Sequence, residues 1–256
     1  MKNNIPEGAQ LLYLPIRDMG VTAGYRNEKY AKQFGFGHYG LDAISESGDK
    51  TVYAMGNGEV IVAGLDGVNG DYSGMGWVTV IRYDNVYVPA TGKVVNLIAT
   101  TFHHEPGSIE VGKGDKVKAG TIIGQYSNTG GTTVLGKRMG NHLHMQFDTD
   151  VSYPLYCYGI SGTTSKLLKR GTTDSTINPF DVLVADVSRK QYAYTRDEGW
   201  AEDWTKIPES VDFEKETQID ELRWQYTELM ADYEALLYRY EKAQEKLEKV
   251  RAIIAE

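Results

Sequence analysis

The chain has one cysteine, Cys157, among 256 residues, so no internal disulfide staples it, and a metal site closed by several thiolates is excluded. Cations are also in deficit. The 27 Lys and Arg against 35 Asp and Glu leave a formal net charge of −8, whereas a surface for nucleic acid sets Lys and Arg against phosphate; no nucleic-acid partner is expected. No apolar run reaches the roughly 20 residues that span a bilayer, so no membrane span is expected. The N-terminus, Met1-Lys2-Asn3-Asn4-Ile5-Pro6-Glu7-Gly8, has one cation and no apolar stretch before Leu11. It lacks the parts of a secretory leader, which predicts cytoplasmic synthesis, with any site of action outside the cell reached by another route.

What the chain has is turn-forming and foldable. The 28 Gly, 18 Tyr and 41% hydrophobic residues fit a folded, turn-rich protein. From Thr51 to about Phe147, short runs rich in Val, Ile, Thr and aromatics recur between Gly-containing breaks: 51–55, 59–63, 77–83, 96–104, 116–125 and 142–147. No helix-period stretch separates them, so the spacing predicts a mainly β, antiparallel sheet domain rather than a doubly wound α/β fold. Residues 148–176, with few apolar repeats and many Gly, Ser and Thr, read as an elaborated loop. The domain is expected to span 1–185, followed by a linker over 186–209.

After Pro208 the pattern changes. Ile219, Leu222, Tyr226, Leu229, Tyr233, Leu236, Tyr240, Ala243, Leu247, Val250 and Ile254 fall at spacings of three and four, the a and d positions of a coiled coil. A long α-helix over 210–256 would run on the order of 70 Å, and its narrow apolar seam predicts a homo-oligomer; a lone amphipathic helix lying on its own domain is the alternative.

Two motifs mislead. Gly35-Phe36-Gly37-His38-Tyr39-Gly40 matches a dinucleotide fingerprint in letters only, because polar residues precede it and the strand-like Leu41–Ser45 follows it. Gly131–Lys137 has the spacing of a phosphate loop, but Arg138 stands where Ser or Thr must bind magnesium.

All five histidines lie between residues 38 and 144, as His38 with Asp42, His103 with His104, and His142 with His144. On a strand, His142 and His144 point to the same side. Imidazoles and a carboxylate are ligands that suit a catalytic zinc, which keeps one position open for water.

These residues resemble the lysostaphin-type, or LytM-like, zinc endopeptidases. The family's His-x-x-x-Asp and His-x-His signatures are met by His38-Tyr39-Gly40-Leu41-Asp42 and His142-Leu143-His144. Between them stand Phe102-His103-His104, in the aromatic-x-His register, and the stretch Val111-Gly112-Lys113-Gly114-Asp115-Lys116-Val117, which continues to Gly124. Ser127-Asn128-Thr129-Gly130 is similar to the family's turn before the His-x-His strand.

The resemblance covers about residues 35–185. It implies a sheet of the duplicated hybrid motif type and zinc held by His38, Asp42 and His144. His104 and His142 would orient the attacking water and stabilise the oxyanion, leaving His103 a structural role. It also implies an endopeptidase cutting stem-peptide or cross-bridge bonds of bacterial peptidoglycan. With no leader and an oligomerising helix, a phage-encoded or virion-associated lysin is the expected context. A non-catalytic coiled-coil scaffold or activator of another wall hydrolase is the competing reading, disfavoured because every ligand position is retained. About six extra residues near 134–139, and the long 148–176 segment, depart from the family's minimal core and are expected to reshape the cleft.

Overall fold

A computed structural model describes residues 5–131, 133–134, 137–160, 165–196 and 205–206. The strand Leu143–Asp148 is the centre of the molecule. It pairs antiparallel with Leu41–Ser45 on one side and with Lys93–His104 on the other. His144 faces Asp42 across the first pairing and Phe102 across the second, so register alone gathers these side chains on one face.

Outward from Lys93–His104 the sheet continues through Trp77–Val88, Gly58–Leu65 and Lys116–Val117. Outward from Leu41–Ser45 it continues through Asp18–Ala23, Tyr192–Thr195 and Thr205–Lys206. With Thr176–Ile177 beside the central strand, the sheet has ten strands. The mainly β expectation holds. Five of the predicted runs lie within a few residues of the observed strands, and the run at 116–125 divides into Lys116–Val117 and Ile122–Gln125 around Gly120.

Alternation along the strands builds a separate core on each face. One contains Leu41, Ala43, Leu97, Ala99, Leu143 and Met145; the other contains Val78, Val80, Ile98 and Phe102. The second core is roofed by the segment read as an elaborated loop: Leu155, Cys157, Ile160 and Leu168 pack onto it. Asp66, wholly buried, fixes this roof by accepting the backbone N–H groups of Leu167 and Leu168.

The stretch expected as a linker supplies Tyr192–Thr195 and Thr205–Lys206 to the sheet, and Tyr192–Thr195 pairs in parallel with Asp18–Ala23. A seven-residue helix, Glu28–Phe34, was not anticipated. The chain divides after Pro208, and the helix and coiled coil expected over 210–256 lie outside the described residues. Among the described residues no helix is long and apolar enough to cross a membrane.

Candidate metal centre

Three donor atoms converge where Leu41–Ser45 and Leu143–Asp148 meet. His38 Nε2 is 3.1 Å from Asp42 Oδ1 and 3.2 Å from His144 Nδ1, and His144 Nδ1 is 2.8 Å from the same carboxylate oxygen. Ligand atoms about 2.0–2.1 Å from a tetrahedral zinc are roughly 3.3 Å apart, so the trio is spaced close to one face of that tetrahedron. The donor set, two imidazoles and a carboxylate, suits zinc with room for a further ligand.

His38 is oriented from behind. The Gly24 carbonyl accepts a hydrogen bond from His38 Nδ1 at 2.8 Å, which assigns the proton to Nδ1 and leaves the Nε2 lone pair facing the centre. The Tyr30 ring, carried by the helix Glu28–Phe34, stacks on His38 with centroids 4.4 Å apart. That helix is held by its ends: Asn27 accepts the Tyr30 N–H at the start, and left-handed Gly35 closes it. Gly40 is required by proximity, since a Cβ there would collide with the Met145 carbonyl and the His144 ring.

His38, Asp42, His103 and His142 are each at most 5% exposed. Burial works against Asp42's charge, yet the surrounding His38, His142 and His144 hold its carboxyl well below the usual range. Burial also works against a charged His38, but Asp42 outweighs it and raises the group. Burial lowers His144, and burial together with neighbouring His142 and His144 holds His103 well below the ordinary imidazole value.

Beside the trio lies a cavity of about 290 Å³, lined in part by His103, His142, Phe36, Met75, Tyr158 and Gln146. The His103 and His142 rings lie 4.7 Å apart. Their Nδ1 atoms are engaged by main-chain carbonyls, Thr129 O at 2.6 Å and Gly140 O at 2.8 Å. A carbonyl only accepts, so both Nδ1 atoms carry a proton, and in the neutral ring the lone pair is on Nε2.

His104, expected beside His142, is not in this cavity. It is wholly buried, its Nε2 is 2.8 Å from Thr101 Oγ1, and burial pushes it down to about 4. The cause is a β-bulge. Trp77 pairs with His104 and Thr79 with Thr101, so Val78 alone faces both Phe102 and His103. His103 adopts φ +64°, a region few non-glycine residues enter, and the strand's alternation skips one position. The structure therefore corrects the placement of the doublet: His103 lines the cavity expected to hold His104, and His104, not His103, is the one packed away from it.

Residues 36–153 match the model of Peptidase family M23. No curated protein matches the sequence. Among solved structures, the chain is similar to a zinc-containing peptidase from Vibrio cholerae at 23% identity and a TM-score of 0.37, over 53% of this chain and 36% of that one. It is similar to the catalytic domain of lysostaphin from Staphylococcus simulans at 22% identity and a TM-score of 0.35, over 59% of this chain and 87% of that one. It is also similar to the SpoIIQ–SpoIIIAH pore-forming complex at 17% identity and a TM-score of 0.44, over 71% of this chain and 96% of that one. The match thus spans about a third of the length of the Vibrio peptidase.

Proposed function

The chain belongs to peptidase family M23 through residues 36–153, and on that premise we propose that it is a zinc-dependent endopeptidase of bacterial peptidoglycan. The observation that carries this reading is the convergence of His38 Nε2, Asp42 Oδ1 and His144 Nδ1 within 4.8 Å of one another, beside a cavity that two more imidazoles enter. His38, Asp42 and His144 hold the metal in this proposal. Zinc, when bound, supplies a Lewis acid and a water whose pKa is lowered to about 7.

The rest of the chemistry belongs to the chain. His103 stays neutral near pH 7 because it is buried among other imidazoles, so its Nε2 accepts a proton from the attacking water. Once protonated there, it has that proton to give to the leaving amine. His142 Nε2, 4.0 Å from Asp42 Oδ1, lies on the same side and orients the water. Positioned proton transfer of this kind contributes roughly 10²- to 10⁴-fold. The apolar walls, Phe36 and Met75 among them, limit water around the reacting groups.

The finer elements of the proposal are a phage-encoded or virion-associated context, action on the cell wall after cytoplasmic synthesis, and homo-oligomerisation through a coiled coil over 210–256. They rest on the sequence patterns. One set of preparations tests the whole: metal analysis, digestion of purified cell walls and sedimentation of the full chain. Stoichiometric zinc, wall digestion abolished by strong chelators, and an oligomer are expected, and His144→Ala should lose metal and activity together. Digestion by metal-free protein overturns the zinc reading; zinc-loaded protein that leaves walls intact overturns the peptidoglycan reading; a monomer overturns the coiled coil.

A further inference from the structure

His142, just before the central strand, and His144 and Gln146 within it lie two apart in extended chain, and all three side chains line the cavity. Gln146 is 2% exposed and lines the cavity beside the two histidines. Its Nε2 donates to Asp148 Oδ2 at 2.7 Å and to the Tyr158 carbonyl at 3.4 Å. Both partners are oxygens. A main-chain carbonyl only accepts, and the carboxylate is already occupied by the Ser175 hydroxyl on Oδ1 at 3.0 Å and by the Tyr158 main chain. Turning the amide over would set Oε1 against two acceptors, so the network fixes which end is nitrogen.

The amide's oxygen is what remains. Oε1 has no hydrogen-bond partner among the described residues, whereas both amide hydrogens are used. The cavity is thus offered a fixed acceptor, with no donor at that spot. Residues two apart on a strand are about 7 Å apart, so Oε1 lies roughly two residues of extended peptide from the metal-binding end. The neighbouring walls, Tyr39, Tyr158 and Ile160, bring no carboxylate to attract a cation.

We propose that Gln146 is a specificity-determining residue whose Oε1 accepts a main-chain N–H of an extended substrate peptide, about two residues from the bond that is cut. Asp148 and the Tyr158 carbonyl act as positioning groups that stop the amide from turning over. The ligand class is an extended peptide with a free amide N–H at that position. This inference rests on the metallopeptidase reading and deepens it.

The test measures affinity, which separates it from wall digestion. Two tetraglycine peptides, carrying a zinc-chelating hydroxamate at the C-terminal or the N-terminal end, run from the metal in opposite directions. Their binding to the zinc-loaded full chain is followed by calorimetry. One of the two should bind roughly 3- to 10-fold more weakly to Gln146→Met, the loss expected for one hydrogen bond. Replacing its amide two residues from the chelator by an ester, which removes the N–H, should cost the parent protein the same factor and Gln146→Met nothing further. Gln146→Glu, which can share one proton with Asp148 and still present an oxygen, should bind like the parent. Equal affinity of Gln146→Met and the parent for both peptides, or an ester penalty that persists in Gln146→Met, overturns the inference. So does failure of both hydroxamates to bind the zinc-loaded parent. Binding as expected by a protein that leaves cell walls intact supports the inference and removes only the peptidoglycan substrate.

Discussion

His103 and His104 are adjacent and chemically identical, yet the fold gives them different surroundings: His103 lines the cavity and His104 is wholly buried beside Thr101. The aromatic-x-His register of the resembled family points to His104, two residues after Phe102, where an unbroken strand would put it on the face of Phe102. What defeats that reading is a single left-handed residue inside the strand, His103 at φ +64°, and nothing in the letters marks it. The other site residues were legible because their spacing within each motif, His38 to Asp42 and His142 to His144, survives folding without a bulge. Gln146 was not legible, since its significance depends on partners at Asp148 and Tyr158 that only the folded chain brings to it. The consequence is a reversal of expected phenotypes. His103→Ala should cut wall cleavage by 10²-fold or more while zinc stays bound. His104→Leu should keep cleavage within a few-fold and lower stability by about 1 kcal/mol for the lost Thr101 hydrogen bond. Activity and metal content measured on the same samples check this, and an inactive His104→Leu that still holds zinc and folds stably would restore the original register.

At the scale of elements, the six runs between residues 51 and 147 were readable because they are rich in β-branched or aromatic residues and stand between glycine-containing breaks. The helix Glu28–Phe34 was not, because its seven residues are largely polar and its apolar side is one i,i+4 pair, Tyr30 and Phe34, too short to stand out beside the cap signals Asn27 and Gly35. Likewise, Tyr192–Thr195 carries two tyrosines among charges and reads as linker, although its backbone completes a parallel pairing with Asp18–Ala23. The centre itself is made where Leu41–Ser45 and Leu143–Asp148 meet, and its tight point is Gly40 against Leu143–Asp148. A methyl group there has only the Met145 carbonyl and the His144 ring to push against. Gly40→Ala should therefore weaken zinc binding roughly 10- to 100-fold, as disturbing a ligand's support commonly does, with the sheet retained by circular dichroism. Zinc competition with a chromophoric chelator reads the change, and unchanged affinity would mean that the two strands part there at no cost to the site.

For the molecule as a whole, acid acts on two buried groups in opposite directions. His104 is lowered by burial from 6.5 to about 4, so between these values the unfolded chain binds a proton that the folded chain refuses, and stability falls as pH falls. Asp148 is raised by burial from 3.8 to about 6, so across that window the folded chain takes up a proton that the unfolded chain does not, and stability rises as pH falls. Each proton of difference is worth about 1.4 kcal/mol per pH unit. From pH 7 to 5 the His104 loss comes to about 2 kcal/mol and the Asp148 gain to about 1 kcal/mol, so Asp148 offsets part of the acid sensitivity created by the buried imidazoles. His103 and His144, also lowered, add losses of the same sign as His104. In chelator, which leaves the histidines common to all samples free to titrate, urea unfolding at pH 7 and pH 5 separates the contributions. Asp148→Asn should lose about 1 kcal/mol more than the parent over that interval, and His104→Leu about 2 kcal/mol less. The comparison rests on the difference between two pH values within each variant, so packing costs that do not depend on pH cancel. Parallel losses in all three proteins would mean that neither buried group changes its protonation on folding.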